Sequence, residues 1–278
     1  MSDALVSLLI ALGDDELVLG HRHSEWTGFA PYLEEDVAFS SIAQDEIGHA
    51  AAFYGVAARL TGRTPDDIAF GREPGEYRNA ILCERPNGDW AYTLARHWLY
   101  DSADGVRLEA LETTTSDELG AVARKIRREE RYHVIHADIW IRRIAHGPVE
   151  GRTKIIDALS RAFGEAQGLF EPIEREPEAV TEGWFPTPSD ELLERFVSSC
   201  GEALDGLGLP MDIRASLDES AEFVASSSGD LIAGGGDEQD HPKSPSALGG
   251  RSGHHSEDFH ALWDDMTSTY RASPGATW

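Results

Sequence analysis

Two Glu-x-x-His motifs lie on segments whose hydrophobic spacing predicts α-helices, and each follows an acidic residue at almost the same distance. The motifs are Glu46-Ile-Gly-His49 and Glu130-Arg-Tyr-His133. Glu16 precedes the first motif by 30 residues, and Asp101 precedes the second by 29. One carboxylate from each of two helices and a Glu-x-x-His from each of two others form the ligand set of ferritin-like di-iron and di-manganese bundles.

Hydrophobic residues recur every three to four positions along four long segments, as expected for helices with one buried face. These predicted helices cover 3–23, Pro31 to about 61, 89–112 and, after a Ser116 cap, up to about 146. Shorter helices are predicted near 76–83 and over 152–170, 188–207 and 210–225. The two motifs lie about 85 residues apart in similar contexts, which predicts a pseudo-twofold bundle. The predicted fold is therefore all-α, a ferritin-like four-helix bundle with additional C-terminal helices.

The last quarter of the chain divides into segments of different composition. Residues 226–252 are rich in Ser, Gly and Asp, which predicts a flexible linker. The linker separates a ferritin-like helical domain over 1–225 from a C-terminal helix over 253–278. Phe259, Leu262 and Trp263 form an apolar face on that helix, so we expect it to dock on the bundle or on a partner.

The predicted ligands all fall on stripes that are otherwise apolar. They are Glu16, Glu46, His49, Asp101, Glu130 and His133. Burying carboxylates is costly unless cations compensate them, and two divalent ions would do so. Mixed carboxylate and imidazole ligands suit iron or manganese. We therefore expect two Fe ions, with Mn as an alternative and buried acid–histidine pairs without metal as another. No catalytic residue beyond the metal ligands is evident.

Further acids and histidines have other predicted roles. Asp45 and Glu129 precede the motif glutamates. The first interpretation is that each accepts a hydrogen bond from a ligand histidine across the bundle, and the alternative is a solvated surface acid. Asp104 lies close to Asp101 and competes with it as a ligand. Two more Glu-x-x-His spacings are set aside, because the one at 238–241 lies in the predicted linker and the one at 257–260 lacks a matching acidic helix. Four histidines are placed outside the site, namely His21, His23, His97 and His136.

The charge balance restricts the possible partners. The formal net charge is −26, so nucleic acid is an improbable partner. Three lysines stand against 21 arginines, and this acidic, lysine-poor composition favours a halophilic cytoplasm in which salt screens self-repulsion. Cys83 and Cys200 are expected to be reduced thiols. Because the chain has no long apolar run and no basic secretory leader, we expect it to be cytoplasmic and not bound to a membrane.

Several short segments resemble one known family. They are Leu12-Gly13-Asp14-Asp15, Leu17-Val18-Leu19-Gly20, Ser24-Glu25-Trp26, Ala30-Pro31, Leu33-Glu34-Glu35-Asp36, Arg85-Pro86-Asn87-Gly88-Asp89, Ala95-Arg96, Arg131-Tyr132-His133 and Pro274-Gly275-Ala276-Thr277-Trp278. Together they span nearly the whole chain and resemble the C-type subunits of phenylacetyl-CoA 1,2-epoxidase (phenylacetate-CoA oxygenase).

The resemblance implies a ferritin-like protein that pairs with the related catalytic A-type subunit. It implies a complex that epoxidises the aromatic ring of phenylacetyl-CoA with O₂ and electrons from a reductase component. The C-type subunits of that family are largely scaffolds without ligands at the positions of Glu16, Glu46, His49 and Glu130, whereas this chain retains them. The leading hypothesis is thus an oxygenase subunit that retains a di-metal ligand set. The alternatives are a non-catalytic partner of the A-type subunit, an oxygenase for another substrate, and a ferritin-like iron-oxidising protein.

Overall fold

The structure is a computed structural model that describes residues 3–209, 247–273 and 276. Within these residues the chain forms ten α-helices and contains no strand. The helices are α1 Asp3–Ser24, α2 Leu33–Thr61, α3 Pro65–Phe70, α4 Ile81–Glu84, α5 Trp90–Leu111, α6 Asp117–Ala145, α7 Val149–Ala166, α8 Glu176–Thr181, α9 Ser189–Gly206 and α10 Glu257–Ala272. Three 3₁₀ turns occur at Pro74–Glu76, Gln167–Phe170 and Gly250–Ser252.

The long helices begin and end where the local sequence predicts. The Ser116 side chain accepts a hydrogen bond from the backbone N–H of Leu119 at 3.3 Å and so caps α6. Asp89 caps α5 in the same way by accepting from Tyr92 N at 3.0 Å. Helix α2 ends at Gly62, whose φ of 75° is the left-handed conformation that glycine adopts without strain.

Helices α1, α2, α5 and α6 form a four-helix bundle. Helix α1 packs along α2, and α5 packs along α6. The contact between α2 and α6 joins the two pairs. Contacting residues run in opposite directions along each pair, for example Asp14 with Tyr54 and Glu16 with His49. Because α2 and α5 run in the same direction, residues 62–89 form a long crossover connection. One such crossover is typical of ferritin-like bundles, so the predicted all-α fold is confirmed.

Helices α1 and α2 cross closely at two glycines of α1. A Cβ on Gly13 would lie 2.6 Å from Cε1 of Tyr54. A Cβ on Gly20 would lie 2.9 Å from Cγ1 of Ile47 and 3.0 Å from Cβ of Glu46. The absence of side chains at these positions therefore brings the α2 motif next to the α1 acid.

Gly20→Ala is expected to lower the free energy of unfolding by about 1–3 kcal/mol, because its methyl group would also press on the Ala43 carbonyl, 3.2 Å away. Gly48→Ala, in the interior of α2 with no heavy atom within 4 Å of the added Cβ, is the control and should raise that energy by about 0.5–1 kcal/mol. Chemical denaturation of both variants measures the difference. Equal changes in the free energy of unfolding for the two substitutions would contradict the close contact of α1 and α2 at Gly20.

Beyond the bundle, the structure adds elements that the sequence patterns did not predict. The Pro-rich stretch 171–188 contains α8, which starts at Glu176 with proline in its first turn. The Glu176 carboxylate accepts hydrogen bonds from the backbone N–H and the hydroxyl of Ser189, which joins α8 to α9. Helix α3 was also not predicted. The predicted helix at 210–225 and residues 226–246 of the predicted linker lie outside the described residues.

The C-terminal part of the described chain packs against the crossover connection and reaches α1 of the bundle. Trp263 of α10 donates through Nε1 to the carbonyl of Arg72 at 3.0 Å, and the Phe259 ring lies 5.4 Å from that of Tyr77. Just before α10, the Arg251 side chain is buried and reaches Asp15 of α1 with Nη2–Oδ2 at 2.7 Å. Residues 247–252, assigned by composition to the linker, thus contribute a buried ion pair to the bundle.

Candidate metal centre

The four bundle helices bring the six predicted ligands into one buried cluster. Helix α1 supplies one carboxylate, α2 and α6 supply the two motifs, and α5 supplies the aspartate. All six side chains belong to residues no more than 3% exposed. Their ligating atoms fall into two groups with all separations within 4.8 Å, namely Glu16, Glu46, His49 and Glu130, and Glu46, Asp101 and His133. Glu46 belongs to both groups and is therefore the candidate bridge.

Glu130 also stands between the two histidines. Its Oε1 lies 3.2 Å from Nδ1 of His49 and 3.3 Å from Nδ1 of His133. On the other side, Glu16 Oε2 lies 3.3 Å from Nδ1 of His49, and Glu46 Oε1 lies 3.8 Å from Nδ1 of His133. Two ligands about 2.1 Å from one ion and at right angles to each other are roughly 3 Å apart. The separations in the cluster are therefore close to those of atoms that bind the same cation.

Many of these buried atoms lack a hydrogen-bond partner among the described residues. They include Oε1 of Glu16, both carboxylate oxygens of Glu46, Asp101 and Glu130, and Nδ1 of His133. Buried polar atoms are normally satisfied, and buried carboxylates are especially costly to leave without a partner. A pair of divalent cations at this point would satisfy them together, so the donor set fits a di-metal centre.

In the metal-free state the cluster compensates its charge with protons. Burial lowers the pKa of His49, but the charges of Glu16 and Glu130 outweigh burial and raise that pKa to about 11. Burial likewise opposes protonation of His133, whose pKa Glu130 and Asp101 raise to about 9. Burial and the neighbouring carboxylates raise the pKa of Glu46 well above its ordinary value. Because metal ligands must be deprotonated, cations would bind by replacing these protons.

The two acids next to the motif glutamates take the positions expected of them. Glu129 Oε2 accepts from Nε2 of His49 at 3.0 Å, and Asp45 Oδ2 accepts from Nε2 of His133 at 3.3 Å. Each acid therefore pairs with the histidine of the opposite motif, as predicted. Such bonds leave Nδ1 of each ring facing the cluster and fix the imidazole orientation.

The structure also separates Asp101 from its neighbour Asp104. Asp101 faces the cluster, whereas Asp104 accepts from Nη2 of Arg107 at 2.8 Å. The same guanidinium reaches Asp15 Oδ2 through Nη1 at 2.7 Å. Burial is the main reason that the pKa of Asp101 and the pKa of Asp104 are both raised. Asp104 thus belongs to an adjoining ion-pair layer that also includes Arg251.

Sequence reasoning left out two histidines that the fold brings to the cluster. His23 and His97 are fully buried, and with Glu46 they form a third group of possible metal ligands. The signal was their spacing, since His23 follows Glu16 by two helical turns and His97 precedes Asp101 by one. Of the motifs set aside, Glu257 and His260 are exposed, and 238–241 lies outside the described residues. Cys83 and Cys200 are free and buried.

A four-helix bundle with one long crossover, built around a buried carboxylate–histidine cluster that could hold a metal, is typical of the ferritin-like class of helical proteins. A comparison with protein families identifies the family within this class. The model of the phenylacetic acid catabolic protein family matches residues 1–222, so this chain belongs to that family.

A curated relative matches over a longer range. The chain is 29% identical over 275 residues to the C-type subunit of 1,2-phenylacetyl-CoA epoxidase from Escherichia coli (strain K12). The alignment covers 99% of each chain. Within the described residues, no helix combines the length and apolar character needed to cross a bilayer.

Proposed function

We propose that this chain is part of a multicomponent oxygenase that epoxidises the aromatic ring of phenylacetyl-CoA in phenylacetate degradation. The observation that carries the proposal is the match to a C-type subunit of 1,2-phenylacetyl-CoA epoxidase over 99% of both chains. Membership of the phenylacetic acid catabolic protein family supports the same pathway. The buried carboxylate–histidine cluster supports a metal-dependent oxygenase rather than another type of catabolic enzyme.

The cluster would hold two iron ions, with manganese as an alternative. Glu16, Glu46, His49 and Glu130 surround one position, and Glu46, Asp101 and His133 surround the other. Bound iron would supply the redox chemistry by which O₂ is activated. Glu129 and Asp45 would orient the two ligand imidazoles through their Nε2 hydrogen bonds. On one side of the cluster, Phe39 is fully buried against the His23 and His97 rings and would keep water away from it.

Association with the related catalytic A-type subunit is the second part of the proposal. Helix α6 exposes Tyr132, Ile135 and Ile139, which are 72%, 45% and 61% accessible and recur at three- to four-residue spacing. Ile135 and Ile139 also line a surface groove of about 410 Å³ that includes Arg142 and Arg143. Because exposed apolar stripes commonly mark interaction surfaces, this face of α6 is the proposed contact with the A-type subunit.

Two other functions compete with this one. In the first, the chain only positions the A-type subunit, and its ligand set has no part in turnover. In the second, it oxidises iron as ferritin-like proteins do, and the match to an epoxidase component over nearly its whole length weighs against this possibility.

Co-expression with the related A-type subunit tests the proposal. We expect a stable heteromer that, with a reductase, consumes O₂ only when phenylacetyl-CoA is present. Ile139→Glu should weaken co-purification at least tenfold, because it places a charge in the apolar stripe. Val149→Glu is the control, since Val149 is also exposed but lies at the start of α7.

The same assay separates catalytic from scaffolding roles. Glu46→Ala should abolish turnover while leaving the heteromer intact. Normal turnover by the Glu46→Ala complex would favour the non-catalytic partner. Failure of the two proteins to associate, together with iron oxidation by the isolated chain, would overturn the oxygenase assignment.

A further inference from the structure

Two buried histidines next to the proposed di-metal centre have no role in it. His23 of α1 and His97 of α5 are both 0% exposed. Neither nitrogen of either ring has a hydrogen-bond partner among the described residues. The two rings stand nearly perpendicular, with centroids 5.3 Å apart, and Phe39 packs against both. A buried polar group without a hydrogen-bond partner destabilises the folded state, and here four ring nitrogens lie in that condition close together.

Both imidazoles lie close to the Glu46 carboxylate, whose oxygens also have no hydrogen-bond partner among the described residues. His23 Nδ1 lies 3.9 Å from Oε1 of Glu46, and one ligand atom from each of His23, Glu46 and His97 falls within 4.8 Å of the others. The side chains come from three different helices, so the position is enclosed by the bundle rather than built on one surface. Two imidazoles and one carboxylate form a donor set that binds ferrous iron and similar cations.

We propose that His23, Glu46 and His97 form a third metal position for a divalent first-row cation such as Fe²⁺, adjoining the di-metal centre. This inference rests on the proposed function, because the third position shares Glu46 with the di-metal site. The His23 and His97 rings both pack against Phe39, which in turn packs against Trp90. A cation there would satisfy both rings, with Glu46 shared between it and the di-metal centre.

The competing explanation is that His97 only orients Asp101. Their Nδ1 and Oδ2 atoms are 3.0 Å apart, but this contact does not have the angles of a hydrogen bond. It also leaves both nitrogens of His23 without a partner among the described residues. The third metal position explains the unpartnered nitrogens of both rings, whereas an orienting role for His97 explains only one ring.

Anaerobic equilibrium dialysis of the full chain against Co²⁺, with visible absorption of the bound ion, tests the proposal. The wild type should bind about three Co²⁺ per chain, and His23→Leu and His97→Leu should each bind about two and lose part of the absorption spectrum. Leucine is apolar and removes the unpaired nitrogens, and helical circular dichroism checks that both variants fold. His136→Leu is the matched control, because His136 lies in the same ring cluster but donates to Glu35 at 2.8 Å. It should retain about three Co²⁺ ions.

The outcomes separate this inference from the proposed function. Equal Co²⁺ content in the wild type and in the His23→Leu and His97→Leu variants overturns the third position. Two Co²⁺ in the wild type, lost in Glu130→Ala, also overturns it while the di-metal centre stands. Absence of bound Co²⁺ from the wild type overturns both.

Discussion

Arg251→Ala is expected to lower the free energy of unfolding by about 3–5 kcal/mol, because it leaves the charge of Asp15 buried with only one of its two arginines. The Arg251 guanidinium also donates to the carbonyls of Ala11 and Leu169, and both of these hydrogen bonds would be lost. Chemical denaturation measures the loss. Arg271→Ala, which removes an exposed ion pair with Asp264 on α10, is the control and should cost less than about 1 kcal/mol.

The pH dependence of this difference follows from Asp15. Burial raises its pKa, but Arg251 and Arg107 outweigh burial and hold the pKa below its ordinary value of 3.8. A lowered pKa contributes stability that is complete above the ordinary value and is lost as the pH falls through the folded value. The gap between wild type and Arg251→Ala should therefore be constant near neutral pH and shrink below about pH 4. Equal stability of the Arg251→Ala and Arg271→Ala variants at pH 7 would contradict the buried ion pair.

Glu46→Gln is expected to stabilise the metal-free protein while it abolishes metal binding. Glu46 is fully buried, neither of its oxygens has a hydrogen-bond partner among the described residues, and its pKa is raised by burial and by Glu16 and Glu130. Glutamine keeps the shape without the charge, so after chelation the variant should exceed wild type by about 1–3 kcal/mol at pH 8. Because the raised pKa makes wild-type stability fall as the pH rises above the ordinary value of 4.5, this advantage should be smaller at pH 5.

Glu84→Gln provides the matched comparison for that prediction. Glu84 is as buried as Glu46, but its carboxylate accepts from the Ser256 N–H at 2.6 Å and from Asn79 at 3.0 Å and contacts His255 at 2.8 Å. The same substitution should therefore destabilise the protein at this position. Denaturation of both chelated variants measures the two effects. Destabilisation by Glu46→Gln as well would show that Glu46 stabilises the fold without metal.

The long helices and the six-residue cluster were predictable from sequence because both follow from apolar residues that recur every three to four positions. A carboxylate on an otherwise apolar helical face has to meet compensating charge, and this constraint placed Glu16 and Asp101 in the interior. The pairing of Asp45 and Glu129 with the opposite histidines followed from their position beside the motif glutamates, and the structure confirms it. The family assignment rested on short segments along the chain and is confirmed by the family match.

Other features depend on contacts between distant segments, which periodicity does not encode. Arg251 follows a Ser- and Gly-rich stretch, and only the fold shows that it reaches Asp15, 236 residues away in sequence. Helix α8 forms in a Pro-rich segment because Glu176 joins it to Ser189. His23 and His97 resemble ordinary core histidines until the bundle brings both next to Glu46.

The iron content of the purified chain after anaerobic reconstitution tests the central claim most directly. The metal centre predicts at least about two Fe per chain in the wild type, their loss in Glu130→Ala, and their retention in Glu150→Ala, which changes an exposed glutamate of α7. Wild-type protein that holds no more iron than Glu130→Ala would contradict the metal centre, and the chain would then be a scaffold with a buried acid–histidine cluster.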